Sequence, residues 1–469
     1  MRSVVVAGGG ITGWAAAAAL KRRLPMLEVT VLPIAPPADA LADRFPATLP
    51  SILAFHGDLG LSEADAIVRT RAGFRLGSRF VGWGEGLPDY VHSYGTHGPA
   101  IEGTAFHQHW LRARDAAPFD RHAPAAMLGR EGRFVPAGEA PIDGYEYGLV
   151  LDLPAQTAML RAFALHLGVR EAAGAFRTLT LEDSGFARAI DTNAGPLAAD
   201  LFVDATGPAA QLRSAMGGAR DDWRRWLSCD RFVIAAEAAA APPGSLDTVE
   251  AQPTGWRFRI EGLNETTTGA CWSSAHDARE GIAFEAGSFA EPWLRNVVAI
   301  GDAATVVEPL EWTNLHLALS GIDRLVTMMP GRDCAPVEIA EFNRQAAAEA
   351  VRVRDFLMLH YVTARRPEPF WREMAAAELP DTLAHTLTQF AERGRLPFYE
   401  EETFARDSWL AVLFGQGVRP RRLDPLVEAI DPAPIAAGMA RHRDAIAAAA
   451  ARAPTHAAFL QALHRQALR

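Results

Sequence analysis

The stretch MRSVVVAGGGITGWAAAAALKRRL (residues 1–24) decides how the rest of the chain is read. Val4–Ala7 is a short apolar run, rich in β-branched residues, as expected of a buried strand. Gly8, Gly10 and Gly13 follow at G-x-G-x-x-G spacing, and Trp14–Leu24 is built largely from strong helix formers. Strand, glycine turn and helix in that order is the context the motif needs, because a phosphate can then sit at the N-terminus of the first helix. EVTVLPI (28–34) supplies a second strand, so the chain opens as a βαβ unit.

Two distant segments extend the same sheet. ADLFVDATGPAAQL (199–212) reads as a buried strand ending in a tight strand-to-helix turn, and NVVAIGDAATVVEPL (296–310) as another, ending in Gly301-Asp302. The expected fold is α/β: a two-dinucleotide-binding, Rossmann-like core with an interleaved substrate-side β-sheet and a helical C-terminal part. Residues 1–50, 151–215 and 291–335 are assigned to the core, and 51–150 and 216–290 to the substrate-side sheet and loops. Residues 336–469 are assigned to a mainly helical C-terminal region. CDRFVIAAEAA and GWRFRIEG alternate as strands do.

A chain of 469 residues suits two or three packed lobes. Its formal charge of −10, with arginines scattered rather than clustered, argues against nucleic acid or an anionic membrane as partner. Three cysteines without metal-ligand spacing point to a reduced, cytoplasmic protein. The start shows no cleavable signal pattern, and the Ala-rich runs are too short and too charged to span a bilayer. His92, His97, His107 and His109 crowd one aromatic segment, but their spacing offers no metal site, so no metal is expected. Lys21 is the sole lysine among 46 basic residues, which leaves one candidate for any amine chemistry.

In order along the chain, the segments resemble those of the flavin-dependent tryptophan halogenase family. Gly8-Gly9-Gly10-Ile11-Thr12-Gly13-Trp14 is similar to the family's G-G-G-x-x-G-W, and GFRLGSRFVGW (73–83) to its F-K-x-x-x-x-F-x-x-W segment. LSCDRFVIA, AIGDAATVVEPLE, EFNR, RDFLMLHY, PFWR and DSWLAVLFGQGVRPRRLDP resemble further family segments. The resemblance implies FAD/FADH2 as cofactor, held by Gly8, Gly10, Thr12, Gly13, Trp14, Ala47, Thr48, Asp302 and Ala303. It implies a halide site at the backbone of Thr313 and Asn314, and a catalytic acid at Glu311. Hypohalous acid made at the flavin would pass through a tunnel to a lysine, which delivers the halogen to an aromatic ring. A flavin reductase and an aromatic small-molecule or peptide substrate are the implied partners, and a homodimer or a paired paralogue is allowed.

Several positions depart from that pattern. The family lysine falls at Arg75, whose guanidinium stays protonated and cannot act as an amine nucleophile. Trp312 follows Glu311 where the family has a small hydroxyl residue, so it either plugs the tunnel or turns into the core. The flavin-contacting strap G-x-G-E-A-T-x-P is represented by Arg44-Phe45-Pro46-Ala47-Thr48-Leu49-Pro50, without its Gly and Glu. The ribose-binding acid falls at Pro33, which leaves Asp39 and Asp43 as the nearby acids. Of W-x-W-x-I-P, the wall between flavin and substrate, Trp256 and Ile260 remain, with Phe258 as an apolar substitute. His92 and His97 are candidate stacking or hydrogen-bonding groups near substrate. Three readings stay open: a family enzyme with altered halogenation or oxygenation, an inactive scaffold or partner of an active paralogue, and an unrelated flavin monooxygenase.

Overall fold

The computed structural model describes residues 1–113, 117–138 and 141–467, and these fall into two compact units. The first unit is assembled from residues 1–72, 151–232 and 280–351. Its six-stranded sheet runs in the order Trp293–Leu294, Val297–Ala299, Leu201–Asp204, Ser3–Ala7, Glu28–Leu32, Arg170–Glu171. All neighbours are parallel except the first pair. Central parallel strands are covered on both faces, which is why Val4–Ala7 and Leu201–Asp204 are buried along their whole length.

The first helix spans Ile11–Arg23, three residues earlier than its composition suggests, because Gly10 already serves as its N-cap. Gly8 explains why the turn needs glycine. Its φ is +144°, and a Cβ there would lie 2.3 Å from the Ala205 carbonyl oxygen. Ala15–Leu20 of the helix are buried. The helices within 51–72, grouped above with the substrate side, belong to this first unit, since Ser51–Leu59 packs on the first helix and on the helix Thr313–Thr327.

The second unit takes residues 73–150, 233–279 and 352–469. Its sheet is ordered Glu265–Trp272, Gly255–Glu261, Leu246–Gln252, Gly77–Val81, Tyr90–Ser93, with Arg231–Ala238 beside Glu265–Trp272. Alternation places Trp256, Phe258 and Ile260 on the buried face of Gly255–Glu261 and Arg257 and Arg259 outside. The C-terminal part is helical, including Asp381–Arg393, Arg406–Gly415, Pro432–Arg452 and His456–Ala467. Among the described residues no helix is long and apolar enough to cross a membrane.

Candidate functional site

In the first unit the candidate cofactor residues gather around the glycine turn. The first helix has no side-chain cap of its own and no acid in its first turn, so its amide end is open to an anion. That place is taken by Asp43, whose carboxylate accepts a 2.7 Å hydrogen bond from the Ile11 amide. The carboxylate also covers Gly10, where an added Cβ would meet Asp43 Oδ1 at 2.4 Å. Burial raises the Asp43 carboxyl above its usual range, against the opposing hydrogen bond from Ile11 and the charge of Arg44.

Asp302, in the Gly-Asp turn, is buried and also engaged by the strap region, accepting 3.0 Å from the Ala42 amide. Asn314 Nδ2 donates to its other oxygen at 3.4 Å. Burial pushes the Asp302 carboxyl up to about 7, with the nearby Asp43 charge adding to the rise and the Ala42 amide opposing it. Thr12, Ala47, Thr48 and Ala303 are buried in the same unit, and Trp14 is buried with the Arg161 guanidinium 5.6 Å from its ring centre.

Glu311 and Trp312 both have positive φ, 61° and 60°. Two successive non-glycine residues in the left-handed region cost about 1–2 kcal/mol each, and such strain concentrates at ligand sites. Both side chains are buried, and Trp312 is turned onto the strap, its ring 5.7 Å from that of Phe45. Phe45 in turn lies 5.5 Å from Phe232. The strap and the residue beside Glu311 therefore pack on each other. Thr313 Oγ1 and Asn314 Oδ1, at the start of the following helix, are buried and lack a hydrogen-bond partner among the described residues.

In the second unit Arg75 sits in a buried polar cluster. Its guanidinium pairs with Asp247 through Nε, donates to Tyr94 Oη, and donates to Ser78 Oγ at 2.7 Å. Ser78 Oγ donates to the other Asp247 oxygen at 2.6 Å. Both charged side chains are essentially inaccessible, at 0% and 1% exposure, so this arginine is a committed structural ion pair. His92 lies 5.6 Å from the Tyr94 ring and 5.9 Å from that of Phe404. His97 stacks on Phe119 at 4.1 Å, and its Nδ1 is 3.2 Å from Asp407.

Phe404 and Asp407 line a cavity of about 540 Å³ that the sequence reading did not single out. Arg352 also lines it, 3.9 Å from the Tyr399 ring and 4.6 Å from that of Trp409. The candidate histidines thus stand behind its walls. Trp256 donates from Nε1 to Tyr361 Oη at 2.9 Å and lies 5.9 Å from Phe258. His107 Nε2 is 2.9 Å from the Gly394 carbonyl oxygen and His109 Nε2 is 3.1 Å from that of Ile101. Among the described residues no three His, Cys, Asp or Glu side chains gather to hold a metal ion.

A Rossmann-like sheet with a glycine turn, a Gly-Asp turn and a strap defines the flavoprotein class. Residues 3–432 match the tryptophan halogenase family, and the chain belongs to that family. It is 27% identical to tryptophan 7-halogenase KtzQ of Kutzneria sp. (strain 744), with 99% of each chain covered. Among solved structures it is similar to BrvH, a flavin-dependent halogenase from Brevundimonas sp. BAL3, with 34% identity, 99% of each chain covered and a TM-score of 0.93. A flavin-dependent halogenase from Xanthomonas campestris gives 32% identity, 98% coverage of each chain and a TM-score of 0.91. Membership implies FAD/FADH2 as the cofactor.

Proposed function

We propose that this chain is a flavin-dependent halogenase family member whose flavin cleft is held shut by its own strap, and that lysine-delivered halogenation is not its reaction. The observation that carries the reading is the Asp43 carboxylate on the Ile11 amide, with Phe45 packed on Trp312. The glycine turn suits a dinucleotide. Asp43, just before the strap, does not, since a pyrophosphate would have to displace a carboxylate of the same charge from the same helix end. As closed, these residues do not admit FAD, so no catalytic step is routed through it.

Arg75 supports the same reading from the second unit. Its donors are directed to Asp247, Tyr94 and Ser78, and a guanidinium held in a buried pair has no lone pair with which to receive an oxidant's halogen. The 540 Å³ cavity, walled by Tyr399, Phe404 and Trp409, suits an aromatic small molecule or the aromatic side chain of a peptide. The protein is read as an aromatic-ligand binder on a halogenase scaffold. Opening the strap is the condition for any flavin chemistry, for which a flavin reductase is the implied partner.

Supplying the protein with reduced FAD through a flavin reductase, together with chloride or bromide and tryptophan or indole, tests this by mass spectrometry of the products. No halogenated product is expected above a protein-free control. Multiple turnovers to a halogenated indole ring would overturn the reading.

A further inference from the structure

On the first unit, three groups from separate helices meet. Ser51 opens the nine-residue helix Ser51–Leu59, and its Oγ lies 2.8 Å from Nδ1 of His316. Nε2 of the same ring lies 3.3 Å from Glu349 Oε1. The other carboxylate oxygen is fixed by Ser320 Oγ at 2.8 Å and by the Arg324 guanidinium at 2.9 Å. Burial acts to raise the Glu349 carboxyl, but the His316 hydrogen bond and the Arg324 guanidinium outweigh it and hold it below its usual range. The Ser320 and Arg324 contacts thus hold Glu349 as an anion.

An anionic carboxylate at Nε2 keeps the ring proton on that nitrogen. Nδ1 is then left with its lone pair facing the Ser51 hydroxyl. The ring is turned end for end from the commoner arrangement, in which Nε2 faces the serine. The two nitrogens are equivalent for this purpose, because whichever faces the carboxylate holds the proton and the other accepts. A nucleophile within hydrogen-bond reach of a base, with the base oriented by a third group, is the signature of an activated serine, and it is recognised by geometry rather than by order in the chain.

The relay opens onto space. Ser51, His316 and Ser320 line a cavity of about 250 Å³ whose other walls include Phe55, Leu59, Leu319 and Ile322. Arg23, Asp58 and Asp323 stand at the same cavity with their side chains partly in solvent. Apolar walls beside a few convergent polar groups are what a small, mostly apolar ligand requires.

We propose that Ser51, His316 and Glu349 form a nucleophile, base and orienting carboxylate, and that this cavity carries out flavin-independent acyl transfer on small apolar esters. Ser51 Oγ attacks the ester carbonyl carbon while its proton passes to His316 Nδ1. The tetrahedral adduct collapses, the C–O bond to the alcohol breaks, and the departing oxygen takes the proton from Nδ1. Water then attacks the acyl-serine, gives a proton to Nδ1, and the carboxylic acid leaves as Ser51 recovers its proton. Ester and water become acid and alcohol, with no redox partner. Negative charge developing on the ester carbonyl oxygen lies beside Ser51, at the amide end of its helix, which favours it.

The full-length protein, without flavin, is treated with p-nitrophenyl acetate. Released p-nitrophenol is followed, and the acetylated residue is located by peptide mass mapping. The expected results are a burst of p-nitrophenol and an acetyl group on Ser51. His316→Gln should slow acetylation by about 100-fold or more, the scale of losing a general base, while melting at a temperature close to wild type. Glu349→Gln should slow it less. The mapping needs no variant, so it decides even if a substitution fails to fold. Absence of acetyl-Ser51 in wild type, or acetylation of folded His316→Gln at the wild-type rate, would overturn the proposal.

Discussion

The glycine turn and the strap lie in the same unit, yet the first keeps a backbone suited to a dinucleotide while the second makes contacts within the chain instead. Gly8, Gly10 and Gly13 retain the backbone a dinucleotide needs. Asp43 occupies the helix end above Gly10, and Phe45 packs on Trp312. The difference lies in what each feature does when no ligand is bound. A Cβ at Gly13 would sit 2.1 Å from the Gly8 carbonyl oxygen, so the turn is required for folding whatever the cleft holds. The strap carries no such obligation. Its residues are free to exchange cofactor contacts for contacts with the chain itself.

That contrast can be broken at several points, taken here from the largest expected effect downward. Gly13→Ala forces two backbone atoms apart and should cost more than about 4 kcal/mol, at the severe end of single substitutions. Denaturant melting would show it, and a loss below about 1 kcal/mol would mean that the turn persists for some other reason. Arg75→Ala strands the buried Asp247 carboxylate in the second unit. It should cost about 3–5 kcal/mol by the same measurement, whereas a catalytic arginine without a structural role would cost little.

Relieving the strap comes next. Asp43→Gly combined with Phe45→Gly should tighten FAD binding by at least about tenfold, equivalent to about 1.4 kcal/mol. The smallest effect is a pH slope. The Asp302 carboxyl is raised in the folded state to about 7 from 3.8, so the stability it contributes is full below its unfolded pKa and is lost as pH rises through the folded value. The Asp302 contribution therefore declines between about pH 4 and about pH 7, and Asp302→Asn should remove it, making melting temperature at pH 7 relative to pH 4 higher than in wild type. His456 in the second unit has the opposite sign. Burial lowers it to about 4, so its contribution is present above 6.5 and lost as pH falls through 4. A single slope shared by the whole molecule would contradict this separation.

Much of the fold was legible in the sequence because it rests on local patterns. The βαβ opening, the Asp-Ala-Thr-Gly and Gly-Asp turns, and the alternation in Gly255–Glu261 each declare themselves within about ten residues. The candidate site was legible only as a set of losses. Set beside the family segments it resembles, the sequence has no Gly or Glu at the strap positions, a Trp after Glu311 and Arg75 where a lysine was expected. What those residues contact instead depends on pairings over long separations: Ile11 with Asp43 at 32 positions and Arg75 with Asp247 at 172. Phe45 with Trp312 is wider still. No period or spacing encodes such contacts. The cavity walled by Tyr399, Phe404 and Trp409 escaped notice for the same reason, since an aromatic residue reads alike whether it fills a core or lines a void.

The central claim is that the strap, and not the glycine turn, keeps flavin out. Its most direct test is a calorimetric or fluorescence titration with FAD and with anaerobically reduced FAD, on wild type beside the Asp43→Gly/Phe45→Gly variant. Thermal melting would confirm that both are folded. The account predicts weak binding by wild type and a gain of at least about tenfold in the variant. Low-micromolar binding by wild type, with no gain in the folded variant, would contradict it.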